Sequence, residues 1–91
     1  MNIEVNHRIE YRHYAGRDYR YVRDQGQGNC ATYAFTKWVE LAKAGVPAKI
    51  QECVLKTGGG HAFLVVEDRV LDNQYDYLLS LDEVGCGRSP I

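Results

Sequence analysis

The feature that most constrains the fold of this chain is one amphipathic segment, residues 30–44, with a clear signal at each end. Asn29 is a good helix N-cap, and Gly45 followed by Pro47 is typical of a helix end. Thr36, Lys37, Glu40 and Lys43 fall on the polar side. The apolar side chains recur at helical spacing: Ala31, Ala34, Phe35, Trp38, Leu41 and Ala42. The pattern predicts a central helix, with Phe35 and Trp38 in the core rather than on a substrate platform.

The chain after this helix predicts an antiparallel sheet. Three strand-like segments are joined by a glycine-rich loop and by a two-residue turn at Glu67 and Asp68: residues 48–56, 61–66 and 69–73. The tail from residue 75 adds at most a turn or a short edge element. A helix of about 30–44 packed on a sheet of about three strands is an α+β fold. With 91 residues and no repeat or linker, we expect a single domain over 1–91.

The N-terminal segments are less determined. Alternation of Ile3, Val5, Ile9 and Tyr11 suits a strand, whereas Val5, Ile9 and His13 also fit one face of a helix. Residues 15–29 contain three glycines and read as loop.

Composition limits the classes of function. The net charge is −1, and the acidic residues nearly cancel the arginines of the first quarter, so no nucleic-acid partner is expected. No apolar run is long enough for a signal peptide or a membrane span, so we expect a cytoplasmic protein without a membrane partner. Cys30, Cys53 and Cys86 are far apart and odd in number, which argues against disulfides and zinc and predicts three free thiols.

Cys30 is the candidate nucleophile. It stands where the predicted helix begins, after Gly26 and Gly28, which let a substrate backbone approach. Unpaired backbone N–H groups and the helix dipole favour thiolate there, and thiolate is the reactive form. Of the three histidines, His61 enters an apolar strand from a flexible loop and is the better candidate base.

A third group should orient the imidazole. A two-residue turn after the strand brings Asp72 to the face of His61, whereas a three-residue turn brings Asn73, and either residue is chemically workable. Gln25 or Gln27 could add a side-chain amide to an oxyanion hole beside the N–H of Cys30, and Gln25 is slightly favoured.

Several motifs in order resemble the bacterial transglutaminase-like cysteine peptidases, a branch of the papain-like superfamily. They are GNCATYAFTKWVELAKAGVPA, GGHAFLVV and VLDN, with VNHRIEY before them and LDNQYDYLLSL overlapping the last. The resemblance implies Cys30 as nucleophile, His61 as base and Asp72 as orienting carboxylate, and it favours a helix at the N-terminus. It implies a minimal member that hydrolyses peptide or amide bonds in a protein or peptide substrate through an acyl-enzyme.

This chain departs from the family pattern after the nucleophile, where relatives often carry an acidic pair and some bind calcium. Ala31 and Thr32 stand there instead, so no metal and no cofactor are expected.

Three other functions are compatible with parts of the sequence. Acyl transfer or deamidation would use the same intermediate, and a non-catalytic binding or inhibitor module could use the same scaffold. GQGNCA with Glu52 also fits a dinucleotide fingerprint, but the preceding stretch is too charged for a buried parallel strand.

Overall fold

The structure is a computed structural model that describes residues 2–13, 16–54, 59–74 and 78–80. Its elements, in chain order, are helix α1 (Asn2–Arg8), strands β1 (Ile9–Tyr11) and β2 (Gly26–Gly28), helix α2 (Cys30–Lys43), and strands β3 (Lys49–Val54), β4 (Gly60–Val66), β5 (Arg69–Leu71) and β6 (Leu79–Ser80). No helix among these residues has the length and apolar character needed to cross a membrane.

Helix α2 begins and ends as its sequence predicts. The Asn29 side chain accepts a hydrogen bond from the Ala31 N–H, and Thr32 Oγ1 accepts one from the Asn29 N–H, which together form a capping box. The last helical residue is Lys43, and Gly45 takes a left-handed φ of 76° just beyond the end. The cap fixes the position of Cys30 as the first residue of the helix.

The main sheet is antiparallel, in the order β3-β4-β5-β6. Val66 pairs with Arg69, so Glu67 and Asp68 form the predicted two-residue turn, in which Glu67 has a φ of 55°. The short edge strand β6 is added to the three strands predicted. Helix α2 packs on β4 through small side chains, Ala31 and Ala34 against Ala62. The architecture is α+β, as expected.

The N-terminal third differs in part from the sequence interpretation. Residues 2–8 are helical, as the resemblance implies, but 9–11 form a strand, so each periodicity holds for only one part of the segment. The loop predicted over 15–29 contains β2, which pairs in parallel with β1. Because β2 is only three residues long, two of them glycine, the segment carries no period-two signal of its own.

The buried face of α2 is broader than the apolar spacing predicts. Thr36 and Lys37 are fully buried, whereas Trp38 is 39% exposed, so the core prediction for Trp38 is wrong. The hydroxyl of Thr36 accepts a hydrogen bond from the Val22 N–H at 3.0 Å and donates one to the Arg20 carbonyl at 3.2 Å. This face therefore packs against irregular backbone, whose polar groups need hydroxyl partners.

The cysteines also depart from expectation. Cys30 is a free thiol, but Cys53 is disulfide-bonded, so the prediction of three free thiols is wrong for Cys53. Cys53 has no exposed surface and packs with Phe63, Val70 and Leu79, in agreement with its predicted place in the core. Cys86 lies outside the described residues.

Candidate active site

Helix α2 and strand β4 bring the Cys30 thiol to the sheet. The thiol is half-buried, and its Sγ accepts a hydrogen bond from the Ala62 N–H at 3.3 Å. This close approach is possible because alanines line the contact between α2 and β4. The His61 imidazole, from the residue before Ala62, interacts with the thiol through a side-chain hydrogen bond.

His61 contacts Asp72, the acidic residue that directly follows β5. His61 Nε2 lies 2.9 Å from Asp72 Oδ2, and the two side chains are only 4% and 1% exposed. The other carboxylate oxygen accepts a hydrogen bond from the Gln74 N–H at 3.0 Å. Asn73 Oδ1 is buried and has no hydrogen-bond partner among the described residues. The residue against the imidazole is therefore Asp72, as the two-residue turn predicts.

The thiol and the imidazole shift each other's protonation. Burial alone would raise the pKa of the Cys30 thiol, but its interaction with His61 and the N–H groups of Ala62 and Ala31 outweigh burial and lower that pKa. Burial would lower the pKa of His61, but Asp72 and Cys30 raise it to about 9. Both shifts favour a thiolate beside an imidazolium, which is the form suited to nucleophilic attack.

A cleft of about 430 Å³ opens at this pair, within the size range of small-ligand sites. Cys30 and His61 line it, whereas Gln25 does not. Gln25 is exposed in the bend before β2, and the Gln27 side chain is directed to Glu10, 3.4 Å away. Neither glutamine is therefore among the residues that line the cleft.

Four further cleft residues were missed as site residues by the sequence analysis: Tyr11, His13, Arg17 and Glu52. Among these residues, Glu52 was considered only as a ribose-binding acid, and His13 only as one of three histidines of which His61 is the better candidate base. The antiparallel sheet contradicts that dinucleotide reading, because the fingerprint requires a parallel βαβ unit. Arg17 lies in an irregular segment, where no periodicity marks its position.

The residues present do not fit a calcium site after the nucleophile. The Ala31 side chain is a buried methyl group, and Thr32 Oγ1 already hydrogen-bonds the backbone of Asn29 and Asp18. No cluster of three or more His, Cys, Asp or Glu side chains suited to a metal occurs in the described part of the chain.

An α+β domain with a thiol at the start of its central helix, next to a histidine–aspartate contact on the sheet, is consistent with the papain-like class of proteins. The family is shown by sequence: the model of the bacterial transglutaminase-like cysteine proteinases (BTLCP) matches residues 1–85. The chain belongs to this family, which confirms the resemblance. No curated protein and no solved structure matches the chain.

Proposed function

We propose that this protein is a thiol-dependent hydrolase of peptide or amide bonds, with Cys30 as nucleophile, His61 as acid and base, and Asp72 as the group that orients the imidazole. One observation carries the proposal. A half-buried free thiol at a helix start has a lowered pKa and lies beside a histidine held by a buried carboxylate. A thiol buried only for packing would have its pKa raised instead.

The reaction begins when the Cys30 thiolate attacks the substrate carbonyl carbon. The His61 imidazolium donates its proton to the departing amine as the carbon–nitrogen bond breaks, which leaves an acyl group on sulfur. A water then attacks this thioester while neutral His61 accepts its proton. The carbon–sulfur bond breaks, the acid is released, and the thiolate–imidazolium pair is restored. Asp72 keeps the ring oriented and favours its charged form.

The tetrahedral intermediate needs a donor for its oxyanion. The N–H of Cys30 belongs to the first turn of α2, where backbone N–H groups lack helical partners. We assign it as one oxyanion donor in this proposal. Gln25, the candidate suggested by the sequence, is exposed outside the cleft lining.

The acyl-enzyme is the species to detect. Intact-mass spectrometry after rapid acid quench of protein mixed with an activated peptide ester should show one acyl group, mapped to Cys30 and absent from Cys30→Ala. Addition of a primary amine then separates hydrolysis, which yields the free acid, from transfer, which yields the amide. Failure of any activated ester to acylate Cys30 would favour a non-catalytic binding module on the same scaffold.

A further inference from the structure

An ion pair lies in the cleft next to the thiol. Arg17 Nε donates to Glu52 Oε2 at 2.6 Å, and the Tyr19 hydroxyl donates to the same oxygen at 2.5 Å. Glu52 is the cross-strand partner of Ala62, whose N–H contacts the Cys30 sulfur. The ion pair is therefore one strand spacing from the backbone that holds the thiol, and both of its residues line the cleft.

The helix cap fixes Arg17 at this place. Asn29 Nδ2 donates to the Gly16 carbonyl at 2.9 Å, and Thr32 Oγ1 donates to the Asp18 carbonyl at 2.7 Å. The residues on both sides of Arg17 are thus bonded to the two side chains of the capping box. Because Cys30 begins the helix that this box caps, the position of Arg17 is coupled to the position of the thiol.

The two charges differ in what they offer to a ligand. The Glu52 side chain is 17% exposed and its Oε2 already accepts two hydrogen bonds, so its charge is largely compensated. The Arg17 side chain is 62% exposed, and only its Nε is engaged; neither Nη nitrogen has a partner among the described residues. The open end of a guanidinium presents parallel N–H groups that match a carboxylate.

We infer that Arg17 binds a carboxylate of the substrate, so that the cleft selects peptides with an acidic side chain or a free C-terminal carboxylate near the bond that is cleaved. Glu52 acts as a positioning residue that holds the guanidinium with its Nη groups toward the cleft. The inference rests on the proposed function, because it names the substrate class of that same cleft.

The test uses a synthetic peptide library in which each position in turn is Glu, Gln or Lys, made with free and with amidated C-termini. We expect kcat/KM for one carboxylate-bearing series to exceed that of its neutral amide counterpart by about 10- to 100-fold, as charge-assisted hydrogen bonds allow. If the Glu series carries the preference, the carboxylate is a side chain; if the free C-terminus carries it, the carboxylate is terminal.

Two variants identify the residue that is responsible for this charge preference. Arg17→Gln should bring the ratio of kcat/KM for carboxylate-bearing peptides to kcat/KM for the matching amide peptides toward one. Arg69→Gln is the control, because it removes an arginine of similar exposure from β5, where Arg69 pairs with Val66 at the end of β4 away from the cleft. This variant should leave the ratio unchanged. Any of three results would overturn the inference. The first is the absence of any charge preference, and the second is a preference for Lys that is abolished in Glu52→Gln. The third is a preference for Glu that survives in Arg17→Gln.

A binding experiment tests this inference independently of catalysis. Cys30→Ala protein is immobilised and exposed to the same library, and the retained peptides are identified by mass spectrometry. Enrichment of carboxylate-bearing peptides that is lost in the Cys30→Ala, Arg17→Gln protein supports the role of Arg17 even if no peptide is hydrolysed. Absence of enrichment on Cys30→Ala would overturn it even if hydrolysis is observed.

Discussion

Cys30 and His61 are each buried enough to disfavour their charged forms, yet their contacts reverse that effect. The contact with Asp72 raises the pKa of His61, and the interaction with His61 lowers the pKa of Cys30. Activity should therefore rise as pH increases through the lowered thiol pKa, and fall as His61 loses its proton near pH 9. Because Asp72 raises the pKa that sets the alkaline limb, it is the residue to change.

Asp72→Asn is predicted to lower the pKa of His61 from about 9 toward its ordinary value of 6.5, because it removes the carboxylate that stabilises the imidazolium. The measurement is an NMR titration of the His61 ring, with the alkaline limb of kcat/KM expected to move to lower pH as well. Asn73→Ala is the control, since the Oδ1 of this neighbouring residue has no hydrogen-bond partner among the described residues. A His61 pKa that stays the same in Asp72→Asn contradicts the assignment.

The sequence predicts single site residues only where their neighbours mark them. Cys30 is marked by the cap and the glycines before it, and His61 by the loop-to-strand transition. Asp72 and Asn73 could be separated only by the parity of the turn and by the resemblance. Arg17 is missed because its position depends on a contact with Glu52, which is far from it in the sequence.

At the scale of elements, the start of α2 depends on the absence of a side chain at residue 28. A Cβ atom added to Gly28 would overlap the side chain of Thr32, which belongs to the capping box and supports Asp18. The close contact between β2 and the first turn of α2 is therefore part of what places the thiol.

Gly28→Ala is predicted to lower the free energy of unfolding by about 1–3 kcal/mol, the range for overpacking at a crowded position. Chemical denaturation monitored by circular dichroism measures it. Gly60→Ala is the matched control, because nothing lies within 4 Å of the added carbon there, and we expect a change within about 0.5 kcal/mol. Equal stability of the two variants would show that the approach at Gly28 is not required.

The elements after residue 29 follow from local signals, and those before it do not. The helix α2 could be predicted because Asn29 marks its start and Gly45 and Pro47 mark its end. The β4–β5 hairpin could be predicted from its two-residue turn. Strand β2 exists because β1 supplies a partner, and Thr36 is buried because the Val22 backbone needs its hydroxyl. Neither long-range relation appears in the periodicity of the sequence.

For the whole molecule, the departure from the family pattern predicts independence from metal. Thermal stability and hydrolysis should be unchanged by EGTA, because Ala31 supplies no ligand oxygen and Thr32 uses its hydroxyl within the fold. The measurement is a melting curve and an activity assay with EGTA, then with excess calcium. Loss of stability or of activity on chelation, restored by calcium, would contradict this prediction.

The central claim is that His61 activates the Cys30 thiol, and the rate of alkylation by iodoacetamide against pH, mapped to Cys30, tests it most directly. The midpoint should lie below the ordinary cysteine value of 9.0, because the pKa of the Cys30 thiol is lowered. It should rise in His61→Ala, where burial of the thiol acts without the imidazolium, and stay unchanged in the control His7→Ala, which alters an exposed histidine of α1. A midpoint at the ordinary value in the unmodified protein, or one indifferent to loss of His61, would contradict the account.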